Sequence, residues 1–326
     1  GYLIEYSAAL FWQFVLSIRI LLRTGFDVIQ ACNPPDTIFL IGLFYKVFFG
    51  KRFVFDHHDI NPELYIAKFN RKDIFYRLMI LLEKLTFKVA DRSIATNHSY
   101  REIAIKRGKM DPDKVSVVRS GPSLERLRKV PPNDNWKNGR RFMVGYVGVM
   151  GEQEGIDHLI EAVRVLVVEQ KRTDIQFVLM GDGTMRRALE SQVGQLGLGD
   201  FITFTGRVPD STLLEVLSTA DVCLNPDVAN DMNDKSTMNK IMEYMAMGKA
   251  IVQYDLVEGK YSAREASLYA DRNDPASLAD KMAYLLDHEA ERHRMGAFGE
   301  ARVRNELHWG IEKLKYLQVY KTLGGA

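Results

Sequence analysis

Cysteine is scarce in this chain: Cys32 and Cys223 are the only two in 326 residues, and both fall in apolar, strand-like runs. A disulfide scaffold is thereby excluded, and both thiols are expected to be buried in a reducing cytosol. No His/Cys cluster stands at metal-ligand spacing, so no metal site is expected. A membrane-spanning run needs roughly 20 predominantly apolar residues. Residues 2–24 come nearest but are interrupted by Gln13, Ser17, Arg19 and Arg23. That stretch reads as a helix packed on a sheet, with an interfacial helix lying on a membrane as the alternative. There is no internal repeat, no low-complexity tract and no G-x-G-x-x-G fingerprint. Aromatic and basic residues are not interleaved as nucleic-acid binding would require, so no nucleic-acid partner is expected. Net charge is also small, at +2.

That small charge is unevenly spread. Residues 1–140 hold 23 Lys and Arg against 14 Asp and Glu, a balance of +9, and the remainder balances at −7 (21 against 28). The first half is therefore expected to meet something anionic, such as a membrane surface or a lipid phosphate. Apolar strand-like runs alternate with helical ones, FDVIQAC (26–32), DTIFLIGLFYKVFF (36–49) and KRFVFDHHD (51–59) being the first three. This alternation predicts an α/β fold with parallel sheets. Residues 129–140, KVPPNDNWKNGR, are rich in Pro, Asn and charge and read as a linker. The expected division is a first domain over 1–135, a second over 136–308, and a C-terminal helix over 309–326.

The stretch Ser236 to Gly248 carries the most chemistry. Asp234, Ser236 and Thr237 are residue types that cap a helix start, and Gly248 suits its end. Asn239, Lys240 and Glu243 share one helical face. A helix start favours phosphate through its N–H groups and dipole, and a carboxylate further in can accept two hydrogen bonds from a ribose diol. The plain alternative is a capped helix with one ion pair. The strand ADVCLNPD (220–227) precedes the stretch and a second strand follows it, the setting in which open α/β sheets bind ligands. Three further loops follow strands: Gly148 in GYVGVMGEQEG, Gly181 and Gly183 in GDG, and Gly206-Arg207-Val208. Glycines there let backbone approach phosphate, or serve as turns. In the first half, DHHDINPE (56–63) ends a strand with His57 and His58 beside Asp56 and Asp59, so that a carboxylate can orient an imidazole.

From the strand near Phe26 onward the chain resembles the retaining glycosyltransferases of family 4, which have the GT-B fold: two Rossmann-like domains facing across a cleft, with a C-terminal helix crossing back. The family carries a Glu-x7-Glu pattern, and MEYMA supplies the second carboxylate as Glu243. Lys235 stands where the first Glu is usual. Val149 and Glu154 stand where many members place an Arg and a Lys for the diphosphate. On this reading Glu243 holds the ribose, the helix start at Ser236–Thr237 and Lys240 hold phosphate, Lys235 and Arg207 are further candidates to compensate its charge, and Asn239 joins the donor-binding residues. Gly206 and Val208 contact the base, and His58-Asp59 faces the donor sugar. The resemblance also implies a member without its amino-terminal βαβ portion.

The function expected is retaining transfer from a UDP- or GDP-sugar to a lipid-linked or saccharide acceptor in bacterial surface polysaccharide synthesis. The donor is a substrate, and no cofactor or metal is expected. The setting is the cytoplasmic face of the plasma membrane, with an anionic membrane surface as partner. A nucleotide-sugar epimerase of the same fold, and a non-catalytic nucleotide-sugar-binding protein at the membrane, stay open as alternatives.

Overall fold

The computed structural model describes residues 2–324 and divides into two compact units, each with its own parallel sheet. The first unit runs to Arg119 and takes back the chain from Glu312. Its sheet has the order β1 (Val28–Cys32), β2 (Arg52–His57), β3 (Arg92–Ala95), β4 (Val115–Val117), all parallel. Helices join the strands, as a parallel connection requires. Helix Phe39–Phe49 ends at Gly50 in the left-handed conformation, φ 61°, and Asp73 caps helix Ile74–Val89 through the N–H groups of Phe75 and Tyr76. Helix Tyr2–Arg23 packs Leu10, Phe14, Ile18 and Leu21 against Ile41, Phe44 and Tyr45. The C-terminal helix, Trp309–Gly324, buries Val319 against Val54, Ile94 and Val118 of the same unit.

The second unit spans Ser120–Ile311. Its six parallel strands are β5 (Phe142–Val147), β6 (Ile175–Met180), β7 (Ile202–Gly206), β8 (Val222–Asn225), β9 (Ala250–Tyr254) and β10 (Ser267–Ala270), in the order β10-β9-β8-β5-β6-β7. The chain builds outward from β5 to β7, then restarts on the other side of β5 with β8. The direction of winding therefore reverses between β5 and β8, and ligands of open α/β sheets lie beyond the carboxyl ends of strands at such a switch point. Two apolar layers cover the faces, one around Leu159, Phe177 and Met282, the other around Val178, Leu217 and Met245.

Three local expectations are corrected. The division falls at Arg119/Ser120, ahead of residues 129–140, because that segment is fastened to helix Asp210–Thr219 of the second unit. There Asn133 Nδ2 and Trp136 Nε1 both donate to Glu215, each at 2.9 Å, and Val130 N–H donates to Ser218 Oγ at 3.1 Å. Glu312 onward, rather than 309 onward, belongs with the first unit. Cys32 is exposed at the end of edge strand β1, whereas Cys223 is buried and its thiol is pushed up to about 12 by that burial. Asn97 caps the helix after β3, accepting from Tyr100 N–H at 2.8 Å.

Candidate functional site

The stretch after β8 folds as two helices. Asn230 caps a short helix over Asp231–Lys235, and a second runs Asn239–Ala246 with Met238 at its N-cap. The expected start at Ser236–Thr237 is thus moved to Asn239. The Ser236 hydroxyl donates to Met232 C=O at 2.8 Å, closing the first helix instead of opening the second. The Met238 side chain makes no capping bond to the second helix. Lys235 pairs with Asp231 at 2.6 Å, and Asn239 is exposed on the first turn.

Lys240 is buried, with Nζ 2.7 Å from Asp227 Oδ1, 3.0 Å from Glu154 Oε2, and 5.2 Å from the centre of the Tyr146 ring. Two carboxylates therefore surround the ammonium expected to meet a diphosphate, and it brings no spare positive charge. Glu154, standing where the family places a cation, is part of the reason. Burial pushes the Asp227 carboxyl up to about 7 against the opposing pull of Lys240. Sequence reading missed Asp227, although its place directly after the Asn225-Pro226 end of β8 was a signal.

Glu243 lies three residues further along the same helix, its side chain 21% exposed, with Oε1 3.4 Å from Arg126. Burial raises the Glu243 pKa and Arg126 opposes that rise. Arg126, which sequence reading also missed, grips Asp210 with two bonds of 2.8 and 2.9 Å. The next residue, Tyr244, is buried and ties β5 to β8: its hydroxyl accepts from Val147 N–H at 2.9 Å and donates to Leu224 C=O at 3.1 Å. The Glu243 carboxylate is thereby held at the switch point by a rigid neighbour.

The glycine loops pack on one another. Gly148 N–H donates to Met180 C=O, Met150 N–H to Asp182 C=O, and Gly181 N–H to Gly206 C=O, at 2.9–3.0 Å. Gly181 has φ +138°, and a Cβ there would fall 1.8 Å from Gly148 O; one on Gly183 would fall 2.4 Å from Met150 O. Close backbone packing thus accounts for these glycines. Gly181→Ala should cost about 2–3 kcal/mol of backbone strain, before any clash is relieved. Urea unfolding checks this, and an unchanged midpoint would contradict the assignment. Arg207 is exposed past β7, and among the described residues it meets no carboxylate; Val208 is half-buried against the second apolar layer.

In the first unit β2 ends in His57-His58-Asp59, and the two histidines part company. His57 is fully buried, stacked on Phe55 and edge-on to Phe87, and burial lowers its pKa to about 3. His58 is exposed, with Nε2 3.1 Å from Asp56 Oδ1, a hydrogen bond that raises its pKa. A raised folded pKa means that this pair's stabilisation is full below the ordinary histidine range and is lost as pH rises through the raised value. Asp56 is fixed in turn by Gln30 Nε2 at 2.7 Å, and Gln30 Oε1 accepts from Tyr316 and Tyr320 on the C-terminal helix. Asn33 Oδ1 accepts from the N–H groups of His58 and Asp59, at 3.1 and 3.2 Å. Neither Gln30 nor Asn33 is visible as a positioning residue from sequence, since the strand-end groups they hold lie 25 or more residues away.

Comparison with known proteins decides what this geometry belongs to. The model for "Glycosyl transferases group 1" matches residues 141–288, and that for "Glycosyltransferase Family 4" matches residues 2–126. The chain thus pairs a family 4 glycosyltransferase domain with a group 1 glycosyltransferase domain. It is 27% identical over 198 residues to the 2-deoxystreptamine glucosyltransferase of Streptomyces kanamyceticus, covering 58% of this chain and 46% of that one. It is 30% identical over 152 residues to the phosphatidyl-myo-inositol mannosyltransferase of Mycobacterium leprae, covering 46% and 38% respectively. The chain spans about half the length, or less, of these curated relatives. Among solved structures, sucrose-phosphate synthase from Thermosynechococcus elongatus aligns with TM-score 0.79 at 20% identity, over 95% of this chain and 77% of that one. Anabaena HepE in complex with UDP aligns with TM-score 0.76 at 17% identity, over 95% and 81%. The fold is GT-B.

Proposed function

We propose that this family 4 protein transfers a glycosyl unit, with retention at the anomeric carbon, from a nucleotide-diphosphate sugar to a lipid-linked or saccharide acceptor. The observation that carries the reading is the Glu243 carboxylate, held at the β5/β8 switch point on the helix that follows β8. Family membership supports it, as do relatives named for glucosyl and mannosyl transfer and the UDP bound to HepE. Glu243 accepts the two ribose hydroxyls. Because Lys240 is already neutralised, charge on the departing diphosphate is met by the start of helix Asn239–Ala246 and by Arg207, with Arg126 within reach of Glu243. Fixed dipoles and cations of this kind stabilise a leaving group without a metal. No protein nucleophile is required if the acceptor attacks on the face that the diphosphate leaves. His58, cationic over a wider pH range because of Asp56, and Asp59 serve the sugar or acceptor.

A panel of UDP- and GDP-sugars read by thermal shift tests the donor. A ligand at a hundred times its Kd should add about 2.7 kcal/mol if it binds only the folded state, and no shift with any nucleotide sugar would refute the proposal. Lys235 in place of a Glu favours a non-catalytic nucleotide-sugar-binding protein as the rival, which would shift in the same assay yet release no labelled sugar to any acceptor.

The proposed setting is the inner face of the plasma membrane. Helix Tyr2–Arg23 exposes Ile4, Phe11, Trp12, Leu16, Ile20 and Leu22, an apolar face that suits an interfacial helix, on the half of the chain with the +9 balance. Flotation should carry the protein up with anionic liposomes at low salt and release it partly at high salt. Binding indifferent to both lipid charge and salt would contradict an electrostatic contribution.

A further inference from the structure

A cavity of about 430 Å³ opens in the first unit, away from His58. It is lined by Lys84 and Lys88 from the last two turns of helix Ile74–Val89, by Lys109, and by Lys114 immediately before β4. Ala90, two residues ahead of β3, shares the lining, so the cavity lies at the amino ends of these parallel strands. The His58 loop follows the carboxyl end of β2, at the opposite end of the strands. Phe87, Ala90 and Met110 are buried and form an apolar floor.

The charge around this cavity is one-sided. Arg107 also lines it, but its guanidinium is taken up by Glu63 at 2.7 Å and Glu83 at 2.5 Å. Glu83 is buried with that pairing. Asp111 is the one carboxylate in the lining, and its Oδ1 accepts from Asp113 N–H at 3.0 Å. Among the described residues none of the four lysines has a carboxylate within ion-pair distance, whereas Lys46, Lys51 and Lys106 of the same unit are paired with Asp91, Asp27 and Glu102. The wall is also held firmly. Arg101 donates to Pro112 C=O at 3.1 Å and Val115 C=O at 3.3 Å, and Arg92 donates to Asp113 C=O. Lys109 is kept in a left-handed conformation, φ 56°, which an L-residue adopts only when its surroundings impose it.

Four unpaired ammonium groups around one concave, apolar-floored space repel one another and are relieved by an anion. From this we infer a second ligand site, one that takes a phosphate-bearing molecule: the lysines meet the phosphate, and an apolar portion covers Phe87 and Met110. The site stands independently of the donor reading. A phosphoglycerolipid headgroup and a soluble phosphate ester share this chemistry. The helix bearing Lys84 and Lys88 also exposes Ile74, Phe75, Leu78 and Leu81 nearer its start, so a lipid source would place apolar and cationic turns of one helix against the same surface.

The test uses the full chain, the variant Lys84→Ala/Lys88→Ala/Lys114→Ala, and an equal-charge control, Lys68→Ala/Lys72→Ala/Lys321→Ala, whose lysines are exposed outside the cavity. Inorganic pyrophosphate is titrated by calorimetry, and cosedimentation is measured with phosphatidylglycerol and with phosphatidylcholine vesicles. Three lysines should together be worth a loss on the order of a hundredfold in affinity, confined to the cavity variant. Loss of pyrophosphate binding identifies a soluble phosphate ligand. Loss of phosphatidylglycerol binding alone identifies a lipid headgroup, and loss of both supports the shared phosphate chemistry. Equal losses in the control, or no loss with either ligand, would overturn the site.

Discussion

Replacing Lys240 by methionine should destabilise the second unit by about 3–5 kcal/mol, the range for removing one partner of a buried ion pair. The lysine is buried between Asp227, itself 1% exposed, and Glu154. Methionine fills similar volume, so little of the loss comes from a cavity; it comes from two carboxylates left facing each other in a poorly solvated place. The sign of the pH dependence follows. Asp227 already has its pKa pushed up to about 7 by burial with the lysine present, and without the lysine it rises further. A carboxyl whose folded pKa exceeds its unfolded value is stabilising when protonated, so the deficit is largest above that folded value and shrinks as pH falls through it. Urea unfolding at pH 8 and pH 5.5 measures this, and adding Asp227→Asn should recover part of the loss at pH 8. A deficit below about 1 kcal/mol that ignores pH would mean that the cluster is solvated and weak, and that Lys240 remains available to a diphosphate after all.

The same cluster shows what was legible in the sequence and what was not. The strands were readable because β5 and β6 are nearly continuous apolar runs, FMVGYV and IQFVLM, as strands buried on both faces require. Glu243 was readable because a short-range pattern places it. The partners of Lys240 were not, since Glu154 lies 86 residues away and pairing across a sheet is set by topology rather than spacing. The burial of Glu83 is illegible for the same reason, since only Arg107, 24 residues on, makes it tolerable. The helix start was misplaced because several capping residues compete between 230 and 237, and Asn230 captures a separate short helix. Residues 129–140 have the composition of a linker, yet Glu215 gives their polar groups fixed partners.

Glu243→Ala should weaken nucleotide binding by about 3 kcal/mol or more, roughly a hundredfold in Kd, while leaving the fold nearly as stable. The affinity figure follows from two hydrogen bonds to a charged acceptor, each worth about 1.5–3 kcal/mol. Little stability should be lost, because what Glu243 contributes to the free protein is a 3.4 Å contact to Arg126, whose own side chain is 46% exposed and stays on Asp210 at 2.8 Å. Such partly exposed pairs contribute about 0–1 kcal/mol. Glu243 also lies on the exposed side of the Tyr244 tether, so truncating it leaves the β5–β8 tie intact. Glu243→Gln keeps one acceptor oxygen but loses the charge and should fall between the two. Arg126→Ala is the complementary probe: it frees Glu243 of its cation, raises its pKa further, and should weaken nucleotide binding progressively as pH falls and the carboxyl protonates. Titration calorimetry with UDP and GDP, beside thermal unfolding of the same variants, separates the two readouts. Unchanged affinity in Glu243→Ala would remove the ribose contact from this carboxylate, and a large loss of stability with proportionate loss of binding would show that Glu243 serves the fold instead.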